Sequence, residues 1–173
     1  MRTALVSLCC GLVTLLIGTA AAHAQALPEF EIQDQFETVH RSSDYGGQVF
    51  YVLGSDREGG DYNEAWADAI KAGLGSDAAA IPSFGIADLS AVPRVMERLV
   101  RPLFPSEPEK WALMDWDGVF KKTFGLVEGA ANILVFDTGG RLVHQAHGTA
   151  VDPKAVAAIV ETIHQQLDIA PTG

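Results

Sequence analysis

The residues best placed to do chemistry form one acidic loop. Ser55, Asp56, Arg57, Glu58, Gly59, Gly60 and Asp61 follow the apolar run QVFYVLG and precede a helical pattern, DYNEAWADAIKAGLG, that opens at Asp61. Open α/β sheets bind ligands where strands end and helices begin. A helix start offers free N–H groups to an anion, and Arg57 adds a positive charge, while Asp56, Glu58 and Asp61 oppose one. The same carboxylates with Glu64 could instead gather around Ca²⁺. Their spacing is not that of a calcium loop, and Arg57 interrupts them. The plainest reading is a solvated loop whose acids complement the helix dipole, with Asp61 as N-cap and Glu64 closing a capping box.

Other reactive types are sparse. Ser55 is the one hydroxyl beside this loop, and a serine nucleophile needs a base that no neighbouring residue supplies. His144 and His147 stand three apart on an extended segment, so they point to opposite faces and do not share a metal. Trp66, Trp111 and Trp116 read as core or interface residues, with an exposed Trp116 as a binding anchor. Cys9 and Cys10 are the only cysteines in the chain.

Those cysteines sit in a segment that reads as a signal peptide. Arg2 is followed by an apolar run from Ala4 to Ile17, and small-x-small cleavage signals end at Ala24 and Ala26. The run is too short to span a membrane, which takes about 20 residues. A lipoprotein anchored through Cys9 or Cys10 would have too short an apolar region and no small residue before either cysteine. Cleavage after Ala24 or Ala26 therefore predicts an exported, periplasmic chain without thiols. It can form no disulfide and no thiolate metal site. About 150 residues remain, one domain of ordinary size over 27–169. The full chain carries 12 basic and 22 acidic residues, and the segment removed holds one of the basic ones. So acidic a chain is repelled by phosphate backbones and anionic lipid, which excludes nucleic-acid partners and stable membrane insertion.

The elements that must position these residues alternate. Phe30 to Val39 reads as an N-terminal β region and QVFYVLG as a doubly covered central strand. The helix from Asp61 buries Tyr62, Trp66, Ala69 and Ile70 and stops at Gly73 and Gly75. A strand over 81–87 follows. Ser90 caps a helix whose stripe is Val92, Val95, Met96, Leu99, Val100 and Leu103. A third strand covers Trp111 to Trp116, and Asp117-Gly118 turns into a short helix, VFKKTFG. Strands at 132–137 and 141–145 flank Thr138-Gly139-Gly140. Asp152 and Pro153 open the last helix, with Val156, Ile159, Val160, Ile163 and Leu167 inward. The order predicts an α/β fold, a mixed central sheet with helices on both faces and an extra N-terminal β region.

This chain resembles the thioredoxin-like fold, in particular its redoxin and peroxiredoxin branch. Gly129-Ala130-Ala131-Asn132-Ile133, Leu134 to Asp137 and Gly140-Arg141 match the family's late segment in register. Asp115 to Gly118 and Phe124-Gly125-Leu126 match its aspartate-glycine turn and its aromatic-glycine segment. Two departures stand out: the redox-cysteine loop is Gly54 to Asp61, and the cis-proline place holds Ala131. A cis bond before a non-proline residue costs about 2.5–4 kcal/mol, so a trans peptide is expected. Within the class the chain looks most like the YtfJ-type exported bacterial proteins, which share the cysteine-free loop and the segment spanning Trp111 to Gly118.

The resemblance implies a redox-inactive module, with neither thiol–disulfide oxidoreductase nor peroxidase activity and no cofactor. Such a module binds a periplasmic protein, peptide or small ligand on the face joining the 55–61 loop to Glu128–Asn132. The residues implied are Asp56, Arg57, Glu58, Asp61, Trp116, Glu128, Ala131 and Asn132. A second reading is a hydrolytic or metal-dependent enzyme using the carboxylates of the 56–64 loop.

Overall fold

The computed structural model describes residues 25–169; the expected signal peptide and both cysteines lie outside them. A five-stranded sheet in the order β5-β4-β3-β6-β7 forms the centre. It is built from β3 (Phe50–Ser55), β4 (Ser83–Asp88), β5 (Ala112–Asp115), β6 (Ala131–Phe136) and β7 (Leu142–Gly148). β3, β4 and β5 are parallel, while β6 and β7 run antiparallel to their neighbours, as helix-linked and hairpin-linked strands require. A small antiparallel pair, β1 (Glu31–Gln33) and β2 (Val39–Arg41), precedes the sheet.

Alternation along the central strands divides the core in two. Tyr51, Leu53, Ile133 and Val135 face α1 (Gly60–Leu74) and α4 (Pro153–Ile169), where they meet Trp66, Ile70, Ile159 and Ile163. Phe50, Val52, Leu134 and Phe136 face the other way, toward Phe30, Tyr45 and the short helix α3 (Val119–Phe124). All six residues of β3 and of β6 are buried, which is why both read as unbroken apolar runs. Trp111, Phe84, Phe50 and Phe136 stack in sequence across four neighbouring strands, with ring centroids 5.4, 6.1 and 4.9 Å apart. The aromatic row ties the edge of the sheet to its middle.

Three expectations need correction. α1 begins at Gly60 behind Gly59 and has no side-chain cap at that position, so Asp61 is not its N-cap and no capping box with Glu64 forms. Glu64 instead pairs with Lys110 at 3.1 Å. Second, the helix expected after Ser90 shrinks to α2 (Glu97–Val100) between two 3₁₀ turns, Arg94–Met96 and Arg101–Leu103. Its apolar stripe faces solvent: Val95, Leu99 and Leu103 are 87%, 65% and 74% exposed. Third, Leu167 of α4 lies on the exposed side. The start of α4 agrees with expectation, since the Lys154 N–H donates to Asp152 Oδ1 at 2.9 Å.

Candidate functional site

The carboxyl end of β3 leads straight into the loop where the chemistry was expected, and antiparallel pairing sets the start of β6 beside it: Gly54 lies opposite Asn132. The two loops are laced together by one carboxylate. Asp56 Oδ1 accepts the Gly59 N–H at 2.8 Å, and Oδ2 accepts the Gly129 N–H at 2.9 Å. The Asp56 carbonyl takes the Gly60 N–H at 3.0 Å. Asp56, rather than Asp61, thus organises the first turn of α1.

Gly59 makes this closure possible. A Cβ there would stand 2.2 Å from the Ala130 oxygen and 2.8 Å from its nitrogen, so the two backbones touch face to face. No cis peptide occurs among the described residues, in agreement with the trans bond expected before Ala131. Asn132 fixes the far lip. Its Oδ1 accepts the Val127 N–H at 2.7 Å, and its Nδ2 donates to the carbonyls of Gly54, Val127 and Ala130 at 3.2, 3.0 and 3.0 Å. A buried amide that satisfies four backbone partners is a structural clamp.

The expected site residues therefore separate by role. Ala131 and Asn132 are fully buried and shape the lip without reaching a ligand. Arg57, Glu58, Asp61 and Glu128 are exposed along the rim. Arg57 has no ion-pair or hydrogen-bond partner among the described residues. Glu128 receives Lys121 Nζ at 2.6 Å, and the same ammonium lies 3.3 Å from Asp88 on β4. Trp116 stands apart: it follows β5, with β4 and β3 between it and β6. It lines a separate recess of about 290 Å³ with Arg94, Glu97 and Arg101. Its half-buried indole has a solvent-inaccessible Nε1 without a partner. A recess of about 700 Å³ lies at the opposite end of the sheet, between the N-terminal arm and the β6–β7 turn. Neither recess touches the two laced loops.

The alternative chemistries find no geometry. No group of three or more His, Cys, Asp or Glu side chains among the described residues could hold a metal ion, so Asp56, Glu58, Asp61 and Glu64 do not form a cation site. Ser55 is buried and its Oγ accepts from Asn63 Nδ2 at 2.8 Å, with no histidine bonded to it. His144 and His147 do point apart. His144 is half-buried, with Nδ1 3.4 Å from Thr162 Oγ1, and burial pushes its imidazole below the usual range. His147 is exposed.

A second set of acids, not singled out in the sequence as a site, lies at the same end of the sheet. Asp115 is buried and accepts the N–H groups of Val119 and Phe120 at 3.0 and 2.9 Å, capping α3. Burial raises its pKa above the ordinary 3.8, and the Asp88 charge adds to the rise, against the lowering by the backbone N–H donors. The only sequence signal for this role was the aspartate-glycine turn.

No family model matches the sequence, and no curated protein matches it. Solved structures do match, and they define the fold as thioredoxin-like. The pneumococcal exposed lipoprotein thioredoxin Etrx1 from Streptococcus pneumoniae superposes with a TM-score of 0.57 at 14% identity, over 78% of this chain and 98% of its own. Yeast Sco1 gives 0.55 at 16% identity, over 83% and 97% of the two chains. The mitochondrial 2-Cys peroxiredoxin of Plasmodium falciparum gives 0.52 at 14%, over 87% and 96%. Likeness at these identities is likeness of fold.

Proposed function

We propose that this chain is a redox-inactive thioredoxin-like module of YtfJ type, exported to the periplasm, that binds a protein, peptide or small ligand there without transforming it. The observation that carries the reading is the lacing of the two loops by Asp56 in a fold that has no cysteine between Gln25 and Ile169. Thiol exchange needs an attacking thiolate, and the backbone contact of Gly59 on Ala130 fills the space between the lips. What remains to bind with is the outer rim: Arg57 as an unpaired cation, flanked by Glu58, Asp61 and Glu128. No helix among the described residues is long and apolar enough to cross a membrane, which agrees with a peripheral or free module.

The test is retention from a periplasmic extract on the immobilised protein, compared with Arg57→Glu and Glu128→Lys. A species retained by the parent and lost with either substitution supports the rim as the binding surface. Equal retention by all three moves binding elsewhere.

A further inference from the structure

We infer that the ridge formed by residues 94–103 docks this protein peripherally on an anionic phospholipid surface. Three observations carry this. Val95, Leu99 and Leu103 recur at i, i+4 and i+8 along nearly continuous helical turns and are 87%, 65% and 74% exposed. Met96 and Phe36 add exposed apolar surface, at 40% and 42%. Most of the chain's large apolar side chains are buried, so this concentration is a feature of one element rather than a general looseness.

The charge beside the stripe is the second observation. Arg94, Arg98 and Arg101 hold three of the chain's 12 basic residues within eight positions, against a single acid, Glu97, in an otherwise acidic protein. Arg98 is exposed and has no ion-pair partner among the described residues. An apolar stripe bordered by arginines complements anionic headgroups over acyl chains. Charges beyond about 8–10 Å are screened at physiological salt, so the ridge acts locally despite the acidity of the rest.

The third observation is rigidity. Arg101 donates to the Asp34 carbonyl and pairs with Glu97. Gln35 bonds the carbonyls of Pro105 and Lys110 and the Ala112 N–H at 3.3, 3.1 and 2.9 Å. The ridge is pinned to the N-terminal hairpin and to β5, and it presents its apolar side chains convexly. A bilayer accepts a convex ridge without offering a groove. The recess beside it does not capture a headgroup, since Glu31, Glu97, Asp115 and Asp117 outnumber Arg94 and Arg101 in its walls. The contact is therefore a surface one, distinct from a membrane span.

The experiment is co-sedimentation of the exported, processed protein with two kinds of vesicle: phosphatidylglycerol mixed with phosphatidylethanolamine, and phosphatidylcholine alone. At least tenfold tighter binding to the anionic vesicles is expected. The double variants Val95→Asp/Leu99→Asp and Arg94→Glu/Arg98→Glu should each abolish that preference while melting like the parent, because these side chains are exposed. Absence of binding, equal binding to both vesicles, or binding that survives both variants overturns the inference. So does sedimentation velocity showing that the ridge is covered by a second copy of the chain in solution.

Discussion

Asp56 accepts backbone N–H groups from two different loops, and hydrogen bonds to a charged acceptor contribute about 1.5–3 kcal/mol each. Asp56→Ala should therefore lower stability by about 2–3 kcal/mol, allowing for its partial exposure, read as a shift in the urea midpoint. Hydrogen exchange should quicken first at Gly59 and Gly129; a uniform change across the sheet would mean that the carboxylate does not lace the lips. Gly59 and Gly60 make a sharper pair. A Cβ on Gly59 meets the Ala130 backbone at 2.2 Å, whereas one on Gly60 meets nothing nearer than 3.8 Å. Gly59→Ala should cost about 1–3 kcal/mol or more through forced backbone movement, and Gly60→Ala should be close to neutral or mildly stabilising. Equal melting temperatures for the two variants would refute the contact. The sequence showed that this loop is acidic and lies at a strand-to-helix junction. It did not show which acid is used, because Asp56 is selected by a partner 73 positions away.

Asp115 and Asp137 cap neighbouring elements with opposite consequences for pH. Burial, reinforced by Asp88, raises the pKa of Asp115. Its folded form holds a proton more tightly than the unfolded chain, so its contribution is full below the unfolded value near 3.8 and is lost as pH rises through the higher folded value. Burial also pushes Asp137 upward, but the Arg141 and Gly139 donors outweigh it and the net shift is down, so its contribution is lost as pH falls. Urea titrations of the parent and Asp115→Asn from about pH 3 to pH 7 should show the parent losing ground to the variant as pH rises. A constant difference would contradict a raised pKa. The 94–103 ridge shows what periodicity leaves open. Val95, Leu99 and Leu103 have helical spacing, but spacing fixes a shared face and not the direction that face takes. The stripe of α4 has the same spacing and does bury Ile159 and Ile163. Leu99→Ser should change stability by less than about 0.5 kcal/mol. Ile159→Ala, at a fully buried position, should cost about 2–5 kcal/mol by the same denaturation.

At the scale of the molecule, the sheet was legible because its signals are local: two unbroken apolar strands, a Gly-Gly hairpin, and helices with caps or glycine stops. The closed crevice was not, because it depends on pairing Gly54 with Asn132 across the sheet. The position of Trp116 was not legible either, since strand order sets it apart from β6. The thioredoxin-like frame keeps the two loops that face each other at the end of β3, but a carboxylate and a glycine contact join them where thiol chemistry would need space. The central claim is that this frame is chemically silent toward disulfides. Its most direct test is the rate at which the exported, processed protein reduces a protein disulfide in the presence of a dithiol reductant. No rate above that of the reductant alone is predicted. A catalysed rate, above all one removed by Cys9→Ser/Cys10→Ser, would contradict it.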